Sequence, residues 1–171
     1  MGQTQRTEEK LDDIGGLLPR PGRVAAPVRQ VLFRKASRET FTVGPRQSVY
    51  EVLSLMAEKN IGALVVVEGD RVVGVVSERD YARKVIQIGK SSRETEVEEI
   101  MGAPPVTVTS ATTVGECLAL MTGRFLRHLP VVEDGRLVGL VSIGDLVKAL
   151  IADQEERLGR IEAYISGTYP A

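Results

Sequence analysis

The sequence has no tryptophan, only four tyrosines and three phenylalanines, one cysteine and one histidine. So few rings leave little for the base-stacking platforms of single-strand nucleic-acid binders. Neither sign of charge is in excess, since 22 Lys and Arg stand against 23 Asp and Glu for a net charge of -1. That excludes the one-sign field expected of a chain that clings to nucleic acid or a membrane surface, and neither partner is expected. A lone cysteine, Cys117, cannot close an internal disulfide, which fits a reducing compartment. No apolar run approaches the roughly 20 residues of a membrane span. The N-terminus mixes Arg6 and Lys10 with Glu8, Glu9, Asp12 and Asp13 and does not read as a secretory signal, so a cytoplasmic chain is the expectation. One His and one Cys, distant in sequence, offer neither a metal cluster nor a Cys-His nucleophile. Cys117 sits on an apolar helical stripe and is expected in the core. Gly89-Lys90-Ser91 looks like the end of a phosphate-binding loop, but the position of that loop's first glycine is Lys84. With no catalytic constellation visible, neither an enzyme nor a catalytic cofactor is expected.

What the sequence does contain is an internal repeat. Residues 40–86 align without a gap onto residues 105–151 at an offset of 65, with 18 of 47 positions identical. Upstream, Val28-Arg29-Gln30-Val31-Leu32 resembles Val97-Glu98-Glu99-Ile100-Met101 at an offset of 69, so the first copy carries about four extra residues near 36–39. Each copy opens with a short strand, over 41–43 and 106–109. A helix follows at 49–59 and 114–124, capped by Ser48 and Thr113 and carrying apolar residues at helical spacing. Two β-branched runs come next, joined by Glu68-Gly69-Asp70 and Glu133-Asp134-Gly135, and a second helix starts near Ser77 and Ser142.

The expected fold class is α/β: two β-α-β-β-α repeats packed face to face as one module, because a unit of 50 to 60 residues buries little surface alone, with a C-terminal helix. The expected boundaries are a loosely ordered segment at 1–27, a first repeat at 28–90, a connector and second repeat at 91–151, and a helical tail at 152–171, where Leu158, Ile161 and Ile165 make an apolar stripe.

The most informative element is Gly74-Val75-Val76-Ser77-Glu78-Arg79-Asp80, repeated as Gly139-Leu140-Val141-Ser142-Ile143-Gly144-Asp145. Both read Gly, two hydrophobics, Ser, two variable residues, Asp at a strand-to-helix junction. Such a junction presents backbone N–H groups and the positive end of a helix dipole to a phosphate, and a carboxylate one turn on can accept from both hydroxyls of a ribose. The same Ser and Asp also make a capping box, and capping and binding are compatible.

The duplicated β-α-β-β-α unit, the Val-Val-Glu turn region and the paired motif together resemble the cystathionine-beta-synthase (CBS) domain family, over residues 28–151. Ser77 to Lys84, Arg127 to Val132 and the tail from Glu155 are similar to small stand-alone bacterial CBS-pair proteins and their plant organellar relatives. The resemblance implies a non-catalytic regulatory module that binds adenine nucleotides (AMP, ADP, ATP or NAD) in clefts between its repeats. It also implies a flat homodimer and an unidentified effector protein. Within it Ser77 and Ser142 contact phosphate, and Asp80 and Asp145 hold ribose. Adenine is gripped at Thr42, Val43, Ile61 and Ala63 in one copy and at Thr107, Val108, Leu126 and His128 in the other. Arg127 and His128 contact phosphate, while their counterparts Gly62 and Ala63 are uncharged; Arg79, with Arg83 and Lys84, compensates in the first copy. Alternative readings are a ligand-free dimerisation module and a regulator of a thioredoxin-type redox protein.

Overall fold

The computed structural model describes residues 26–35, 39–87 and 89–165. Most of the expected loose N-terminal segment, and the last six residues of the expected tail, lie outside the described residues. Helix α1 (Val28–Arg34) leads into β1 (Thr42–Val43), α2 (Val49–Lys59), β2 (Ala63–Glu68), β3 (Arg71–Ser77) and α3 (Glu78–Tyr81), which continues as a π-helical turn over Ala82–Ile86. The second copy runs α4 (Val97–Ile100), α5 (Val114–Arg124), β4 (His128–Glu133), β5 (Arg136–Ser142) and α6 (Ile143–Ile165).

Helices α2 and α5 occupy the ranges that the apolar spacing predicts. Ser48 and Thr113 accept from the backbone N–H of Glu51 and Glu116 at 3.3 and 3.2 Å, and the two glutamates accept from the capping residues' own N–H at 2.9 and 2.8 Å. This reciprocal closure satisfies donors that a helix start would otherwise leave orphaned. In the first copy β1 lies parallel to β2, pairing Thr42 with Val65, and β2 pairs antiparallel with β3. In the second, β4 and β5 form the hairpin, but the expected strand at 106–109 shrinks to one parallel bridge, Val108 to Val131. Pro130, the counterpart of Val65, has no N–H to give Val106 O the bond that Val65 N–H donates to Phe41 O in the first copy. Both hairpins slip register at the same place, between Val66 and Val67 and between Val131 and Val132.

The short leading helices, which the β-α-β-β-α reading omits, are exchanged between the copies. Val28 and Val31 of α1 are buried with Val114, Met121, Leu129 and Leu146 of the second copy. Val97 and Ile100 of α4 are buried with Val49, Met56, Leu64 and Val76 of the first. The backbone follows suit: Val114 N–H donates to Ala26 O and Val49 N–H to Thr95 O, both at 2.9 Å, so each incoming segment closes the first turn of the other copy's long helix. The tail stripe is no separate helix; Leu158, Ile161 and Ile165 extend α6, which runs unbroken for 23 residues.

This exchange explains the first glycine of the repeated motif. A Cβ on Gly139 would stand 2.7 Å from Leu32 Cδ2 of α1, and one on Gly74 2.5 Å from Met101 Sδ, just beyond α4. Leu32 and Met101 occupy equivalent places in the two leading segments, so both glycines let a partner segment lie against a strand. Gly139→Ala is expected to cost about 1–3 kcal/mol of stability through overpacking. Combining it with Leu32→Ala, which removes the methyl groups in the way, recovers part of that loss. Thermal melting of the single and double variants checks this, and an alanine variant as stable as the parent refutes it.

Candidate functional site

The two motifs close at their strand-to-helix junctions in the same way. Asp80 Oδ2 accepts from Ser77 N–H at 3.0 Å and from Ser77 Oγ at 2.6 Å, while Asp80 N–H donates back to Ser77 Oγ at 3.3 Å. For Ser142 and Asp145 the corresponding distances are 2.8, 2.8 and 3.2 Å. Both are complete capping boxes. The expectation of unpaired N–H groups at these junctions needs correction. Besides the bonds to serine, the first helical N–H of each is already engaged, Glu78 with Gly62 O at 3.2 Å and Ile143 with Arg127 O at 2.9 Å. Capping and close backbone packing take most of the donors.

The side chains converge in two clefts, each assembled from both copies. One, of about 570 Å³, joins Ser77, Arg79 and Asp80 to Leu126, Arg127 and His128, and is floored by 102–106. The other, of about 510 Å³, joins Ser142 and Asp145 to Ile61, Gly62 and Ala63, with Thr40, Phe41 and α1 along its side. The pairing is therefore crossed: the lead-in to β4 faces the motif of the first copy, and the lead-in to β2 faces the motif of the second. Arg79, Arg83 and Lys84, expected to stand in for the basic pair that the first copy lacks at Gly62-Ala63, share one cleft with that pair, Arg127 and His128. Four arginines and lysines there face two acids, Glu78 and Asp80. In the Asp145 cleft Arg29 and Lys35 face Glu39 and Asp145, so its charges balance.

A lysine supports each aspartate, by two unrelated routes. Lys35 Nζ, at the end of α1, lies 3.1 Å from Asp145 Oδ2 and donates to Leu140 O at 2.9 Å. Lys84 Nζ, in the π-helical turn, lies 3.7 Å from Asp80 Oδ1 and donates to Ile100 O. Burial pushes the Asp145 carboxyl up, but the bonds from Ser142 and the ammonium of Lys35 outweigh it and hold the group below the ordinary carboxylate range. His128 lines both clefts. Burial lowers its basicity, with the charges of Lys35 and Arg127 acting the same way, and Asp145 and Asp80 offset this only in part.

Of the residues expected from sequence, Ser77, Asp80, Arg79, Leu126, Arg127 and His128 meet in one cleft, and Ser142, Asp145, Ile61, Ala63 and again His128 in the other. Thr42, Val43, Thr107 and Val108 do not join them. Val43 and Val108 point into the two cores, and Thr42 and Thr107 line separate surface depressions. Thr40 and Phe41, with Pro105 and Val106, line the clefts instead. The expected positions lie on the right strand faces but two residues, about 6.6 Å, too far along. Lys35 is a site residue that sequence reasoning missed; its one signal is that its counterpart in the second copy, at the offset of 69, is Pro104. Cys117 is core, as expected, its thiol pushed up to about 11 by burial and the nearby Glu116.

Two crossed clefts between duplicated, helix-exchanged halves define the architecture of a CBS pair. The family model of the CBS domain matches residues 28–87 and 97–152, and the chain belongs to that family. It is 43% identical over 127 residues to the CBS domain-containing protein CBSX3, mitochondrial, of Arabidopsis thaliana, over 71% of this chain and 62% of that protein's length. Among solved structures, a CBS-domain protein from Burkholderia ambifaria MC40-6 is 52% identical with a TM-score of 0.71, over 75% of this chain and 96% of that one. The CBS domain pair of protein MJ0100, in complex with 5-methylthioadenosine and S-adenosyl-L-methionine, is 25% identical with a TM-score of 0.65, over 74% of this chain and 97% of that one. Among the described residues no helix is long and apolar enough to cross a membrane.

Proposed function

We propose that this protein is a regulatory module that binds adenine nucleotides (AMP, ADP, ATP or NAD) in its two clefts, without catalysing a reaction, and signals energy or redox state to an effector protein. Ser77, Asp80, Arg79, Arg127 and His128 hold the nucleotide in one cleft, and Ser142, Asp145, Ile61 and Ala63 in the other. The observation that carries this reading is the crossed assembly: each cleft sets a ribose-competent carboxylate against a strand lead-in from the other copy, with cations alongside. The adenosine-bearing ligands of the MJ0100 pair support the same ligand class. The charge imbalance between the clefts supports a division of labour, in which nucleotides with more phosphates favour the Asp80 cleft. Association as a homodimer and residence in the cytoplasm belong to this reading.

A melting screen of the purified protein against AMP, ADP, ATP, NAD and S-adenosylmethionine tests it. A ligand at about 100 times its dissociation constant adds about 2.7 kcal/mol, which for a chain of this size raises the midpoint by roughly 5 to 10 °C. The expected result is such a shift with at least one adenine nucleotide. No shift with any of them at millimolar concentration favours the ligand-free reading, in which the two capping boxes have only a structural role.

A further inference from the structure

The residue that ends α5 is in the wrong conformation for its type. Phe125 adopts the left-handed region at φ 56°, ψ 33°. Its counterpart one repeat earlier, Asn60 at the end of α2, adopts the same region at φ 52°, ψ 48°. Both close their helices alike, with Leu126 N–H donating to Met121 O at 2.9 Å and Ile61 N–H to Met56 O at 3.0 Å. Asparagine tolerates this region, whereas a bulky aromatic side chain is disfavoured there. Nor does burial compensate, because Phe125 is 81% exposed, more than any other large hydrophobic residue among those described. One residue thus combines backbone strain with an aromatic ring left in water, and such outliers cluster where a ligand is gripped.

Its place in the fold gives the ligand's chemistry. Phe125 lines the Asp80 cleft beside Leu126 and Arg127, and its carbonyl accepts from Arg79 Nη1 at 3.5 Å, which ties it to the helix that carries Asp80. That cleft already offers a carboxylate for ribose and four cations for phosphate; a flat π face is the remaining requirement of a nucleotide. The Asp145 cleft has Asn60 at the equivalent place, and its rings, Phe33 and Phe41, come from other elements. We infer that Phe125 is the platform on which a purine base stacks in the Asp80 cleft. The inference rests on the proposed nucleotide-binding role.

The test uses the full chain carrying Asp145→Ala, so that one cleft titrates, with and without Phe125→Asn, the residue the first copy already accommodates on this backbone. The expected result has two opposite signs. Relief of the left-handed strain raises the melting midpoint by about 2 to 4 °C. Loss of the stacking face weakens AMP and ATP by about fivefold to a hundredfold, and leaves ribose 5-phosphate unaffected. Phe125→Tyr, which keeps the π face, retains the parent's affinity. If Phe125→Asn binds AMP as tightly as its parent, or weakens ribose 5-phosphate equally, the stacking role is overturned while the nucleotide reading stands. If the unsubstituted protein binds no adenine nucleotide, it is the underlying reading that fails.

Discussion

Replacing Asp80 and Asp145 together by alanine is expected to weaken adenine-nucleotide binding at both clefts in calorimetric titration. Each substitution deletes charge-assisted hydrogen bonds to ribose hydroxyls worth about 1.5 to 3 kcal/mol, which lowers affinity at the altered cleft roughly tenfold to a hundredfold. The same carboxylates complete the capping boxes on Ser77 and Ser142, so removing either also costs stability, by about 1 kcal/mol. The two roles separate because one reads out as a dissociation constant and the other as a melting midpoint. The single variants should differ in kind. Asp80→Ala acts in the cleft with four cations, where ATP has most to gain, and its affinity loss should fall most heavily on polyphosphate ligands. Asp145→Ala acts where charges balance and where Lys35 loses its partner, so it leaves an unpaired ammonium in a half-buried site. A double variant that binds AMP as tightly as the parent would refute the proposed site.

How much of this could be read from the sequence follows from the range of each interaction. The capped helices at 49–59 and 114–124 were legible because a capping box and a 3.6-residue apolar period are local. The motif Ser and Asp pairs were legible because duplication placed them in identical register. What sequence could not give is which motif faces which lead-in, since that depends on how the copies pack. The exchanged helices decide it, and α1 and α4, at seven and four residues, are too short to show a periodic stripe. The first-strand positions failed for a related reason. Alternation along a strand fixes the face of Thr42 and Val43 but not the depth at which a cleft begins, and the clefts begin at Thr40 and Pro105. The role of the motif glycines, which make room for Leu32 and Met101, was not legible either, because it depends on the segment packed against each strand.

Ile100→Ala and Leu146→Ala are each expected to destabilise the whole chain by about 2 to 5 kcal/mol, in a single transition rather than in the half that carries the change. Ile100 is 2% exposed and lies on α4, yet its contacts are in the first copy's core; Leu146, on α6, is 0% exposed in the second copy's core, which α1 of the first copy completes. Neither core is whole without a segment from the other copy, so a cavity in one weakens the anchor of a helix whose loss opens the other. With about 2 to 4 °C per kcal/mol at this length, the midpoint should fall by roughly 5 to 15 °C for either variant. Calorimetry then compares the measured unfolding enthalpy with the one inferred from the transition's steepness, and agreement marks one cooperative unit. Two resolved transitions in Ile100→Ala, with the second-copy core melting at the parent's temperature, would show that the copies fold independently. The exchange of helices would then not couple them.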